Sequence, residues 1–275
     1  MMTRSINIIK AAMILALVLI AFASIGLAAG HAGVLVGVAA GALVNTLIFF
    51  FNDAIVVSAM CGVDADRRQF AELIRLTQRL ADREGLPRPR VVISPQHVPN
   101  AFAAGRSPKH ATIGFTQGAI DLLTTDELAG VIGHQLARIK NRDTLLSSIV
   151  ITLSGSVTHL CIWASRVIGL RWGLQQAVLV SIPTAAALVR LSIRRKRDFL
   201  ADIEGAKIAG SAKGLISALI KMDALAAQAV MASVPINDHL LTIGLPPTDR
   251  LSALFSAHPP VAERVRRLQQ HASLG

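Results

Sequence analysis

No acidic side chain occurs before Asp53, and most of that N-terminal stretch is two uncharged apolar runs. Ala11 to Gly30 is the first and Ala32 to Phe51 the second, with His31 between them. Each is about the 20 residues that a helix needs to cross a bilayer. A signal peptide has a shorter apolar core, followed by a cleavage motif and a polar mature domain. Here the first run is followed by another span, so a transmembrane hairpin is expected. Arg4 and Lys10 stand before it. The positive-inside rule then puts the N-terminus in the cytoplasm.

The formal net charge is +11. A basic chain can serve nucleic acid or an anionic membrane leaflet. Aromatic residues make up only 4% and tyrosine is absent. Stacking platforms for single-stranded nucleic acid need aromatic side chains, so the lipid bilayer is the expected partner and nucleic acid is not. The two cysteines, Cys61 and Cys161, have neither the spacing of a zinc knuckle nor that of a disulfide framework.

From Asp53 to Asp143 both signs of charge are mixed, as in a water-exposed domain. Residues 66–84 carry Phe70, Leu73, Ile74, Leu80 and Ala81 with Thr77 on one helical face. Gly85 and Pro87 end that helix. Arg90–Ser94 and Ala111–Thr116 read as short strands, and Asn100–Arg106 as the loop between them. Thr124 with Glu127 is a capping-box pattern opening a helix to about Arg142. Thr144–Ser165 and Gly173–Val189 are uncharged and are expected to form a second hairpin. The basic cluster Arg194–Arg197 then marks the return to the cytoplasm. Helices are expected around 206–232 and 260–271. The expected segments are 1–52, first hairpin; 53–143, cytoplasmic; 144–193, second hairpin; and 194–275, cytoplasmic.

Chemistry is concentrated in Glu127-Leu-Ala-Gly-Val-Ile-Gly-His134-Gln135-Leu-Ala-Arg138. Helical positions four apart share a face. A zinc-protease helix places His at both, with Glu directly after the first to take a proton from metal-bound water. Here His134 holds the first position, Gln135 the place of the base, and Arg138 the place of the second His. Taken alone, a single His on a helix is more often structural than a ligand.

The wider sequence resembles the HtpX-type membrane zinc metalloprotease family. The resemblance lies in Asn100-Ala-Phe-Ala-Ala-Gly-Arg-Ser-Pro-Lys-His110, Glu127 to His134, Lys140-Asn-Arg-Asp143, Arg197-Asp-Phe-Leu-Ala-Asp202 and Phe255-Ser-Ala-His-Pro-Pro260. It implies a mainly α fold with a small β-sheet: four transmembrane helices and a cytoplasmic zincin-like domain in the inner (plasma) membrane. It implies zinc held at the positions of His134, Arg138 and Asp198. Asp202 would orient a ligand, and an extended peptide would be received by Asn100, Ala101 and Phe102 on an edge strand.

Three departures bear on that chemistry. Gln135 has no useful pKa and cannot act as a base. Arg138 has no lone pair to give and repels a dication. Asp198 is one methylene shorter than the family's Glu. Arg138 is expected to take the metal's space and pair with Asp198. The leading expectation is thus an HtpX-like pseudoprotease in membrane protein quality control. It would bind unfolded membrane proteins or peptides, with zinc absent or weakly held. An active zinc endopeptidase with the atypical ligands His134, Asp198 and Asp202, with Glu204 nearby, is one alternative. A structural or lipid-binding membrane protein is another. Away from this site, Glu127 and Asp143 read as helix-terminal or solvated, and His258 as a turn residue. His159 reads as a helix–helix hydrogen-bonding group.

Overall fold

The computed structural model describes residues 2–27, 30–147, 149, 197–231 and 259–272. The apolar runs form two long helices, α1 (Met2–Leu27) and α2 (Gly30–Ala59). Both qualify by length and composition as membrane spans, over Ser5–Ser24 and Gly30–Phe51. Their outward side chains are bare: Met13, Leu35 and Val36 are 60%, 74% and 69% exposed. Apolar faces of that extent need lipid or another apolar partner. The expected third and fourth spans, with His159, lie almost wholly outside the described residues.

α2 continues beyond residue 52. Its last turns dock Val56, Val57 and Met60 onto Val92, Phe102 and Ala104 of a four-stranded sheet. The strands are β1 (Val63–Asp64), β2 (Arg90–Ser94), β3 (Ala101–Ser107) and β4 (His110–Thr116). Their order is β1-β2-β4-β3. β2 and β4 run parallel, whereas the outer pairs are antiparallel. The two inner strands are almost continuously buried, as expected of strands covered on both faces.

Asn100–Arg106 is therefore not a loop. It forms most of β3, an edge strand paired Ala101 to Phe115 and Ala104 to Thr112, with the register slipping toward Ser107. Ala-Ala-Gly has weak strand propensity; the pairing with β4 makes this segment extended.

Helix α3 (Ala71–Arg83) buries Leu73, Thr77, Leu80 and Ala81. It starts later than the periodicity suggests. Asp66 Oδ1 accepts from the backbone of Arg68 and Gln69 at 2.7 and 2.9 Å. That Asx-type turn competes with helix at its own position. After α4 (Gln117–Leu122) comes α5 (Thr125–Lys140), opened by the complete Thr124/Glu127 capping box and closed at Asn141. Residues 197–209 form α6, Ala212–Met231 α7 and Val261–Ala272 α8. The single helix expected near 206–232 is broken by Gly210 at φ +84°, a left-handed conformation suited to glycine. The main core joins α3, the sheet and α5 to α8.

Candidate functional site

α5 runs through the centre of this core, with residues 130–139 all buried. Its height against α6 is set by glycine. A Cβ on Gly133 would lie 2.3 Å from Gly205 O, and one on Gly205 would lie 2.5 Å from His134 N. The two backbones cross in direct contact, which brings His134 beside Asp202, one turn before Gly205.

His134 is 1% exposed. Its Nδ1 approaches Asp202 Oδ1 to 2.8 Å, without the alignment of a good hydrogen bond. Burial holds the imidazole below its usual range, outweighing the upward pull of Asp202, so His134 is neutral at pH 7. Burial pushes Asp202 up, but Arg264 and His134 more than compensate and leave its carboxyl below the usual range. Arg264 makes a fork: Nε donates to Oδ2 at 2.8 Å and Nη2 to Oδ1 at 2.6 Å. Bidentate pairing of this kind fixes both groups in orientation. Asp202, expected from the resemblance to orient a ligand, lies against His134 and Arg264.

Gln135 is fully buried. Its Nε2 donates to Ala101 O of β3 at 3.3 Å, while its Oε1 accepts from Arg138 Nη1 at 3.3 Å. The amide thus stands between a donor and an acceptor, and both of its ends are used. A carboxylate here would suit Arg138 but set an anionic oxygen against the Ala101 carbonyl. Gln135 and Arg138 are chemically matched to each other.

The expected pairing of Arg138 with Asp198 does not appear among the ion pairs of the described residues. Asp198 is 3% exposed, and its charge acts on Arg197, Arg264 and Asp143. Arg138 turns to Gln135 instead.

Of the two alternatives expected for Asp143, helix-terminal or solvated, it takes the first: it opens the helical segment that begins at residue 143 and is buried. It is 3% exposed, and its Oδ1 accepts from Asn7 Nδ2 at 2.7 Å and from Arg197 Nη1 at 3.5 Å. Burial pushes its carboxyl up to about 6, against the pull of Arg197 and Arg138. Asn7 Nδ2 also donates to Asn141 O at 2.9 Å. The start of α1 is thereby tied to the C-terminal end of α5. Glu127 is helix-terminal, in the capping box of α5, but buried, not solvated: it holds Lys221 at 2.8 Å and accepts from Ser217 Oγ at 2.5 Å. Burial raises its carboxyl, but these partners bring it down to about 2.

Asn100 and Phe102 are each 1% exposed and Ala101 is fully buried. The Phe102 ring packs across Gly114 on β4 and against α2. None of the three presents an exposed side chain.

A family-type zinc site needs three protein ligands around an open fourth position. Among the described residues no three His, Cys, Asp or Glu side chains converge to hold a metal ion. A guanidinium stands one turn after His134, and the neighbouring amide oxygen is engaged by it. The side chains present do not fit that centre.

Two participants were not picked out from sequence. Arg264 carries a partial signal: Val261, Arg264 and Leu268 are all buried on one face of α8, so an arginine occupies the apolar stripe. Asn7 carries none beyond being a polar residue in an apolar run. His258 lies outside the described residues.

Residues 67–272 match peptidase family M48. The chain is 36% identical to the protease HtpX homologue of Desulfatibacillum aliphaticivorans, over 95% of this chain and 89% of that protein. It is 38% identical to the homologue of Salinibacter ruber, over 97% and 98%. It is 39% identical to that of Thermococcus kodakarensis, over 83% of each. In fold it is similar to the crystal structure of S. mikatae Ste24p, with TM-score 0.54 and 18% identity over 98% of this chain and 67% of that one. With two apolar helices long enough to span a bilayer and a helix-and-sheet domain matching across most of its length, the chain belongs to the HtpX-type membrane proteases of peptidase family M48, a family of zinc metalloproteases.

Proposed function

We propose that this chain is a multi-pass membrane pseudoprotease that retains the family's peptide-receiving edge without hydrolysis. The observation carrying this reading is the Arg138–Gln135–Ala101 chain of hydrogen bonds. Where the family places a metal ligand and a base, this protein has a cation and an amide that satisfy one another. Gln135 cannot take a proton from water at neutral pH, and Arg138 disfavours a dication beside it. His134, Asp198 and Asp202 then act as parts of a buried charge network that keeps α5, α6 and α8 in register.

Two contacts support an orientation with the N-terminus cytoplasmic. Asn7, near the start of α1, bonds to Asp143 and Asn141. Arg106 Nη1 donates to Phe50 O, near the far end of the second span. Both ends of the hairpin thus meet the domain on one side of the bilayer. Arg4 and Lys10 favour the cytoplasm as that side. In this reading residues 1–52 are the first hairpin, the second hairpin expected at 144–193 lies almost wholly outside the described residues, and the described parts of 53–143 and 194–275 belong to the cytoplasmic protease-like domain. Its role is to hold extended segments of unfolded membrane proteins along β3, in membrane protein quality control.

The test is restoration. Gln135→Glu, Arg138→His and Asp198→Glu together are expected to confer zinc binding and chelator-sensitive cleavage of an unfolded protein. Wild-type protein assayed in parallel is expected to show neither. Equal cleavage by wild type and triple variant would refute the reading.

A further inference from the structure

The turn between β3 and β4 is fastened to the end of a membrane span. Ser107 pairs with His110, so Pro108 and Lys109 alone make the turn, and the proline ring stiffens it. Lys109 and His110 are exposed. Arg106, just before the turn, ties it to α2. Its Nη1 donates to Phe50 O at 3.0 Å, and its guanidinium carbon lies 5.0 Å from the centre of the Phe50 ring. Phe50 is the next-to-last residue of the span Gly30–Phe51, and Phe50 and Phe51 are 51% and 55% exposed. The end of a span meets the polar headgroups.

Two further contacts put the start of α1 at the same level. Arg106 O accepts from Arg142 Nη1 at 3.4 Å. Asn141 O, one residue earlier, accepts from Asn7 Nδ2, and Lys10 stands within one turn of Asn7. Charge at this level is therefore mostly positive: Lys10, Arg106, Lys109 and Arg142. Of the carboxylates nearby, Asp143 is buried and accepts from Asn7 and Arg197. Asp53 lies one turn beyond Phe50, where its charge acts on Arg90. Lys109 enters no ion pair among the described residues.

We infer that Arg106 and Lys109 form a headgroup site for an anionic phospholipid of the membrane that the hairpin spans. This rests on the membrane-hairpin part of the proposed function and is independent of zinc, Gln135 and Arg138. A guanidinium carries several N–H donors in a planar fork that matches phosphate oxygens. Phe50 O takes one of them in Arg106, and the others remain for a ligand. The Phe50 ring holds the group in place, so less side-chain freedom is lost on binding. Lys109, three residues on, adds a compact point charge. The bilayer is the fitting occupant because the turn is tied to the span itself. Headgroup phosphates are presented at this depth, and an anionic leaflet has the complementary sign. Each basic group held at such a surface is expected to strengthen the contact about 5-fold.

The experiment uses full-length protein in two kinds of nanodisc, one of phosphatidylcholine alone and one with a third of it replaced by phosphatidylglycerol. Backbone hydrogen exchange of residues 105–111 is followed by mass spectrometry. At low salt the wild type is expected to exchange about 5- to 25-fold more slowly in the anionic discs, and high salt is expected to narrow that ratio. Lys109→Gln, which leaves the Arg106–Phe50 tie intact, should reduce the ratio about 5-fold. Arg106→Gln should reduce it at least as much. Arg75→Gln, the same loss of charge on α3, should leave it unchanged. Soluble glycerol phosphate added to the phosphatidylcholine discs is expected to give no protection; protection by it would overturn the lipid as the ligand. Equal exchange in the two disc types, or an equal loss in Arg75→Gln and Lys109→Gln, would overturn the headgroup site while sparing the membrane hairpin. Failure of the protein to enter either disc would overturn the hairpin reading and the site with it.

Discussion

Replacing Arg264 with methionine should destabilise this domain strongly. Arg264 is completely buried and makes two charge-assisted hydrogen bonds to Asp202, at 2.6 and 2.8 Å. Methionine fills similar space without charge. Asp202, 1% exposed, then keeps only His134 beside it, a group that burial holds neutral. Breaking a buried pair from one side costs about 3–5 kcal/mol, because a charge is left without compensation. In a unit of roughly 150–250 residues, each kcal/mol moves Tm by about 2–4 °C. The expected loss is thus about 6–20 °C in a thermal melt of the detergent-solubilised protein. The pH dependence gives a second check. In wild type the Asp202 carboxyl is depressed, so its stabilisation persists above the unfolded carboxylate pKa and is lost only as pH falls through the lower folded value. In the variant the isolated carboxyl takes up a proton more easily, so the deficit against wild type shrinks between pH 7 and pH 5. Arg264→Met with Asp202→Leu removes both charges and is expected to recover most of the loss. A single-variant Tm within 2 °C of wild type would refute the argument that this pair is buried and mutually dependent.

Asp143 predicts the opposite pH trend. Its folded pKa, about 6, lies above the ordinary carboxylate value, so stability falls as pH rises from about 4 to about 6. Asp143→Asn should therefore gain on wild type in Tm between about pH 4 and about pH 6 and hold that gain above it, and a pH-independent difference would contradict the assigned burial. Asn7→Leu removes the link between α1 and the end of α5, a bond to a charged group worth about 1.5–3 kcal/mol; limited proteolysis is expected to cut faster near Asn141. Gly133→Ala places a Cβ 2.3 Å from Gly205 O. It must part α5 from α6 at about 1–3 kcal/mol or more, read as a lower Tm than that of the wild-type protein under the same conditions.

Much of this architecture is legible in the sequence where a local pattern decides the outcome. The two apolar runs, the strand Arg90–Ser94 and the Thr124/Glu127 cap all follow from composition, alternation or spacing, and all appear in the structure. β3 did not, because its extended form is imposed by β4 and not by its own Ala-Ala-Gly. The helix start at Asp66 failed for a related reason: its side chain found a nearer use in a turn. In the site, the family resemblance named Asp202 only as orienting a ligand; its place beside His134, across 68 residues that no local periodicity connects, comes from the assembled fold. Charge complementarity alone suggested Arg138 with Asp198. It could not show that Gln135 offers Arg138 a closer acceptor, or that Asp198 shares its surroundings with Arg197 and Arg264. Asn7 and Asp143 meet across 136 residues and join a membrane helix to the domain, a contact that depends on the assembled fold.

The most direct measurement is the zinc content of the purified full-length protein, determined by elemental mass spectrometry after equilibration with excess zinc and removal of the unbound metal. The expected result is far less than one zinc per chain, with no change when a chelator is added. One zinc per chain, lost together with cleavage of an unfolded protein on chelation, would contradict the central claim that Gln135 and Arg138 have replaced the hydrolytic centre.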